Sequence, residues 1–443
     1  IDTFNGSDSL SGDVVEELEQ VLLLFPSEIK IDTSQNEKVK KIIGFTLSSP
    51  YGDGKVFGQP KGVKSLSFIE VKSESGLSGF GETYSGIYAP SLVPNIVDYL
   101  SSYINGQSLS SLDFLDKLNN IPFIGHSGII QSVISGIELA LLDLIGKIHN
   151  KPVYQLFDVG INKLVKCYYS GGSVVFSERD IEDDINKMKK LGFNAFKMRI
   201  GLQEWNKDIK RLNRAFAILK SDKLMVDAIM GTLEDKWSID VALSKIKDLE
   251  KYNLEWIEEP INPSDLSSYT KLCKASNIPI AMGEAYSGHI HFETIKSNEC
   301  ADIIQVDATH SMGFRKLLEF SNNTFQNKAT HVWGSTLSFY ANATLAALSK
   351  NIDINEFPSV EFQISNEIVK EKVKFENSAL LIPDYPGFGI DINDEIIGLV
   401  ILKSYSFSYY IRSCSYYSPL SSRGVAASYV SNLILLYGLS LSP

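Results

Sequence analysis

Basic charge, closely spaced cysteines and long apolar runs are all scarce in this 443-residue chain. Acids outnumber lysines and arginines 53 to 42, and the net charge of −11 argues against nucleic acid as a partner. The four cysteines, Cys167, Cys273, Cys300 and Cys414, lie far apart and form no CxxC pair, a spacing that fits reduced thiols. No charged segment followed by an apolar one opens the sequence, and VLLLF and LILLYG are too short to span a bilayer. The expected setting is the cytoplasm, without a membrane partner. What is present, 44% apolar and 21% charged residues, is the composition of a soluble globular enzyme.

The acidic excess is uneven. Residues 1–37 hold nine acids and one lysine, residues 404–443 hold two arginines and no acid, and the body between carries only −5. The first segment is mostly polar apart from VVEELEQVLLLF, and the last contains 12 serines and seven tyrosines in 40 residues. Both read as atypical extensions, over 1–37 and 398–443, to which no function is assigned. Val39 to Thr46 and Leu66 to Ser73 alternate as strands around a Gly-rich segment. After GFGETY, a mainly helical stretch includes SVISGIELALLDLIGKIHN, whose apolar residues recur at helical spacing. This predicts an α+β domain over 38–150. From Lys166 onward strand-like and helix-like segments alternate, AFKMRIG before EWNKDIKRLNRAFAILK and LMVDA before SIDVALSKIKDLEKY. Alternation calls for parallel strands with right-handed crossovers, and eight such units close a barrel of about 250 residues. A second domain over 151–397 is therefore predicted to be a (β/α) barrel, with PDYPGFGIDIN as an extended return segment.

Ionisable residues end the apolar runs of this alternation. Asp227 closes LMVD, Glu258 lies in WIEEP and Glu284 in IAMGE. Lys197 and Arg199 close AFKMR, Asp307 closes IIQVD, His331 closes KATH and Glu361 closes SVE. Successive steps from Lys197 to Glu361 run from 23 to 31 residues, about one strand, helix and pair of loops each. Barrel strand ends converge on one mouth, so Asp227, Glu258 and Glu284 are placed to bind a hard cation such as Mg²⁺. Lys197 and Arg199, two apart in a strand, share one face.

Together these motifs resemble the enolase superfamily, specifically its mandelate racemase subgroup. The hallmarks are a KxK or KxR-like strand end, VDxN, an EEP strand end, GE, an aspartate and histidine dyad, and a glutamate on the last strand. The resemblance runs from about Lys38 to Ile397. It implies a TIM-like (β/α)7β barrel under an N-terminal α+β capping domain, with Mg²⁺ on Asp227, Glu258 and Glu284. It further implies Glu259 as a carboxylate beside Lys197, His331 as a general base oriented by Asp307, and Glu361 as a hydrogen-bond partner of a substrate carboxylate oxygen. A homo-oligomer and cap loops that close over a small carboxylate substrate belong to the same implication. Tyr51, Lys55, Gln59 and Lys61 in the Gly-rich segment, and His126 in FIGHSG, are candidate substrate contacts.

The chemistry is coherent with this resemblance. Removing the proton beside a carboxylate creates a doubly charged enediolate, which a divalent cation and a lysine stabilise. An imidazole titrates near neutrality and suits the base. Three positions depart from the pattern: Arg199 where many relatives have a basic lysine, Ile229 in place of the asparagine of VDxN, and Phe314 after Gly313 where a second glycine is usual. Deprotonating an arginine at neutral pH costs about 7 to 9 kcal/mol, so His331 is the one competent base, and Arg199 is better suited to holding a carboxylate or hydroxyl. The expected reaction is dehydration of a sugar acid to a 2-keto-3-deoxy product. Epimerisation or racemisation with Lys197 as second base, lactone cycloisomerisation, and an inactive binding descendant are the alternatives.

Overall fold

The computed structural model describes residues 29, 31, 37–50, 63–359, 364–365, 368–370, 373 and 375–393. Three antiparallel strands come first: β1 (Val39–Pro50), β2 (Val63–Ser73) and β3 (Ser78–Thr83), with β2 in the middle. β1 and β2 stay paired out to Pro50 and Val63, so both run further into the Gly-rich segment than alternation alone suggests. The helix Gly128–Ile148 crosses this sheet closely, and Gly81 permits it, since a Cβ there would stand 2.0 Å from the carbonyl oxygen of Gly136. That helix is long and apolar enough to cross a membrane by composition, yet 83% of its apolar window is buried inside the protein. Its other side meets the barrel, where Ser135 Oγ accepts from Gly313 N–H and Glu138 accepts from Arg315.

Eight parallel strands follow in sequential order. They are β4 (Leu164–Gly171), β5 (Ala195–Arg199), β6 (Lys223–Asp227), β7 (Ile257–Glu258), β8 (Ile280–Met282), β9 (Ile303–Val306), β10 (Asn327–Thr330) and β11 (Ile352–Pro358). β11 pairs back onto β4 and closes the barrel. Seven helices among the described residues fill the crossovers, giving the expected (β/α)7β barrel beside a separate capping sheet. Sequence sets several helix starts: Ser177 forms a capping box with Asp180, and Ser238, Asp265 and Ser335 accept from first-turn N–H groups. Each such cap stabilises by about 1 kcal/mol.

Inside the barrel one residue from each strand, or for β7 the residue just before it, forms an apolar plug: Tyr168, Ala195, Met225, Trp256, Ala281, Ile303, Ala329 and Ile354. Side chains alternate along a strand, so residues two positions further on share the inward face, one layer nearer the carboxyl ends. On or just past seven of the eight strands that layer is Ser170, Lys197, Asp227, Glu258, Gln305, His331 and Glu356, all buried. A polar layer therefore rests on an apolar floor.

β12 (Phe375–Glu376) pairs with β13 (Ala379–Leu381), and β13 with β4. PDYPGFGIDIN then returns to the cap, where Phe388 N–H donates to Asp143 Oδ1 on the capping helix. The atypical segments 1–37 and 398–443 fall almost wholly outside the described residues, though Ile29 pairs with Phe157.

Candidate active site

The polar layer is organised around Lys197 and His331. Lys197 Nζ donates to both carboxylate oxygens of Glu258 at 2.9 and 2.8 Å and stands 3.0 Å from Glu356 Oε1. Trp256 Nε1 also donates to Glu258, and Val332 N–H donates to Glu356 at 2.7 Å. Across the mouth, His331 Nδ1 lies 3.0 Å from Asp307 Oδ2. A carboxylate accepts only, so Nδ1 is the donor and the neutral ring keeps its lone pair on Nε2, which faces Glu284 Oε2 at 3.5 Å. Asp307 is itself held by Thr309 N–H, Thr309 Oγ1 and Asn342 Nδ2. Arg199 folds back onto β4, donating to Gly171 O at 2.8 Å and Ser170 Oγ at 3.1 Å, with Trp333 stacked beyond it. The cap adds Lys64, 3.9 Å above the Trp333 ring, Glu82, which accepts from Ser335, and Tyr84, packed against His331.

These contacts split the carboxylates into two groups. Burial disfavours the charge of Glu356, but Lys197 and then His331 outweigh it and pull the group down to about 2. Burial likewise opposes the Lys197 cation, and Glu258 and Glu356 overcome it, raising the lysine well above its usual range. For His331, burial works against the cation, while the hydrogen bond to Asp307 and the charge of Glu356 raise its pKa. Asp227 is pushed up to about 7, first by burial and then by Glu258. Glu284 and Glu259 are raised well above the carboxylate range, again by burial first and neighbouring carboxylates second.

Buried like charges of this kind are what a dication corrects, and the oxygen-only set Asp227, Glu258 and Glu284 has the donor chemistry of a hard cation. Among the described residues no group of three such side chains is closed into a ligating shell, and Lys197 engages both oxygens of Glu258. The residues fit the ion by charge, burial and donor type.

The strand-end reading thus brings Lys197, Arg199, Asp227, Glu258, Glu284, Asp307 and His331 to one mouth. Glu259 departs from expectation: among the described residues the carboxylates paired with Lys197 are Glu258, Glu356 and, at 4.0 Å, Asp227. Glu258 takes the inward position of β7, and Glu259 follows in a left-handed turn at φ 39° with Oε1 buried and unpartnered. Glu361, Tyr51, Lys55, Gln59 and Lys61 lie outside the described residues. The carboxylate that β11 brings to the mouth is Glu356, legible in retrospect because it stands two past the inward Ile354. His126 is exposed on a cap loop, its backbone carbonyl against Gly288. Two departures acquire a physical meaning. Ile229 adopts φ 48°, a left-handed conformation natural to asparagine and strained for a β-branched residue. At the third, Gly313 alone takes the positive φ of 84°, and Phe314 begins a helix with its ring buried against Phe157. Sequence reading also missed Lys64, Glu82, Tyr84 and Trp333, which reach the mouth only through docking of the cap and the loop after β10.

Residues 59–158 match the mandelate racemase / muconate lactonizing enzyme N-terminal domain, and residues 180–396 match the enolase C-terminal domain-like family. The chain belongs to the enolase superfamily, in its mandelate racemase and muconate lactonizing enzyme subgroup. Within that superfamily it is 27% identical over 337 residues to arabinonate dehydratase of Saccharolobus solfataricus, covering 74% of this chain and 88% of the relative. It is 26% identical over 377 residues to L-talarate/galactarate dehydratase of Salmonella typhimurium, covering 81% and 89%. A solved structure, the 3,6-anhydro-D-galactonate cycloisomerase of Zobellia galactanivorans, shares the fold with a TM-score of 0.73 at 24% identity, covering 82% of this chain and 99% of that one.

Proposed function

We propose that this enolase-superfamily protein is a Mg²⁺-dependent dehydratase that converts a sugar acid to a 2-keto-3-deoxy sugar acid. The observation that carries the reading is the His331–Asp307 dyad, a ring fixed through Nδ1 with Nε2 turned toward the carboxylate cluster. In this reading Asp227, Glu258 and Glu284 hold the ion, which when bound supplies electrophilic stabilisation to the substrate carboxylate. His331 Nε2 takes the proton from the carbon beside that carboxylate. Asp307 keeps the tautomer and stabilises the resulting imidazolium. Lys197, held cationic by Glu258 and Glu356, sits where negative charge gathers as the enediolate forms. The β-hydroxyl then leaves as water, taking the proton that His331 carries. Arg199 remains a cation throughout and acts as a polar clamp.

The relatives named as dehydratases support this reading, and a relative at 25% identity named as a D-galactarolactone cycloisomerase, from Agrobacterium fabrum, favours lactone cycloisomerisation as the second one. Epimerisation fares worse, because a lysine clasped by two carboxylates does not give up its proton near neutrality. A small carboxylate substrate, a cytoplasmic setting and a symmetric homo-oligomer complete the proposal. Semicarbazide trapping across a panel of aldonic and aldaric acids with Mg²⁺ tests it. A 2-keto product from one acid supports dehydration. Substrate consumption without any keto product supports cycloisomerisation instead, and no consumption of any acid supports the inactive descendant.

A further inference from the structure

An imidazole that acts through Nε2 cannot be anchored there. Among the described residues the side-chain hydrogen bond of His331 is the one from Nδ1 to Asp307, which leaves Nε2 available, and a ring held at one atom can still tilt about that bond. A second restraint must come from a contact that neither donates nor accepts. Tyr84, the residue after β3 in the cap, supplies one: its ring centroid lies 4.9 Å from that of His331 with the planes at 84°. Edge-to-face packing of this kind fixes orientation without consuming the lone pair.

The same residue reaches the dyad through the backbone. Tyr84 N–H donates to Thr309 O at 3.2 Å, and Ser132 Oγ of the capping helix donates to the same carbonyl at 3.4 Å. Thr309 in turn gives both its N–H and its hydroxyl to Asp307 Oδ1, at 2.8 and 2.7 Å. The cap therefore grips both members of the dyad, His331 by ring-to-ring packing and Asp307 through Thr309. Two residues earlier, Glu82 accepts from Ser335 and locks the segment to the barrel. Tyr84 is kept from swinging away by Tyr88 and His310, whose rings lie 5.7 and 5.1 Å from its own.

We propose that Tyr84 is a positioning residue through which the docked cap sets the orientation of His331. The inference rests on the reading of His331 as the base, but its structural content stands apart from turnover and is tested apart from it. The Nδ1 proton of His331 in the Mg²⁺-loaded protein, assigned by its loss in His331→Asn, gives a low-field proton NMR signal that reports the dyad directly. Wild type and Tyr84→Phe should show it sharp and slowly exchanging, whereas Tyr84→Leu should broaden it and speed its exchange with water. Kinetically, Tyr84→Leu should lower kcat by about 10- to 100-fold with KM nearly unchanged, as a misplaced catalytic group does. The isotope effect on an α-deuterated substrate should rise, and the Phe variant should restore the rate. Thermal melting of Tyr84→Leu and of a second ringless variant, Tyr84→Met, separates positioning from collapse of the fold. An unchanged His331 signal in a folded ringless variant overturns the proposal whatever the turnover. A turnover that survives His331→Asn sinks the base reading instead, and the NMR comparison still decides the positioning.

Discussion

A lysine sealed among carboxylates is stable only while its partners stay charged. Lys197 and Glu356 are both buried, and each shifts the other toward ionisation, the lysine upward and the carboxylate down to about 2. Glu356, with its folded pKa depressed, contributes stability that is present above its ordinary 4.5 and lost as pH falls toward 2. Lys197, with its pKa raised, contributes stability that is present throughout the neutral range and lost only at strongly alkaline pH. Replacing Lys197 with methionine leaves Glu258 and Glu356 buried without their cation. Urea denaturation at pH 7 should show a loss of about 3 to 5 kcal/mol. The penalty should shrink below pH 4.5, where Glu356 of the variant takes up a proton. An equal loss at both pH values would mean that charge is not what Lys197 contributes.

Strand ends carry most of the site, and one of them depends on a glycine. Gly283, between β8 and Glu284, has φ 141°, and a Cβ there would stand 2.2 Å from the carbonyl oxygen of Gln305. Gly283→Ala should therefore destabilise by more than about 1 kcal/mol in chemical denaturation and weaken Mg²⁺ binding by calorimetry. A variant with wild-type stability and affinity would show that this turn does not place Glu284. Elements of this kind were legible in the sequence. Short apolar runs ending in Asp227, Glu258, Asp307 and His331 at the spacing of a barrel unit gave both the strands and the inward face. Glu356 escaped the same rule because it follows the alternating IDIN and not a continuous apolar run, and only its register two past Ile354 marks it as inward. Lys64, Glu82 and Tyr84 were out of reach for a different reason. Their partners lie far along the chain, Glu82 to Ser335 across 253 positions, and nothing local encodes how a cap docks on a barrel.

At the scale of the whole molecule, cap and barrel enclose a cluster whose charge is balanced only in part. Asp227 at about 7 and Glu284 above its ordinary range hold protons in the folded protein that they would lose unfolded. A raised carboxylate pKa stabilises below the unfolded value, and that stability is lost as pH rises through the folded one. The metal-free protein should accordingly melt at lower temperature at pH 8 than at pH 6. Saturating Mg²⁺ competes with those protons, so its stabilising shift should grow from pH 6 to pH 8. Scanning calorimetry at the two pH values reads this directly, and a shift that is equal or larger at pH 6 would argue against a carboxylate-bound ion. Everything proposed for this site turns on proton abstraction beside a carboxylate by His331. Its most direct test is proton NMR in D₂O of a stereochemically complete sugar-acid panel, with Mg²⁺ and with wild-type protein beside His331→Asn. With wild type, one acid should lose its α-proton as a 2-keto-3-deoxy product appears, and with the variant neither should occur. Turnover that persists in His331→Asn, or that leaves the α-proton in place, would contradict it.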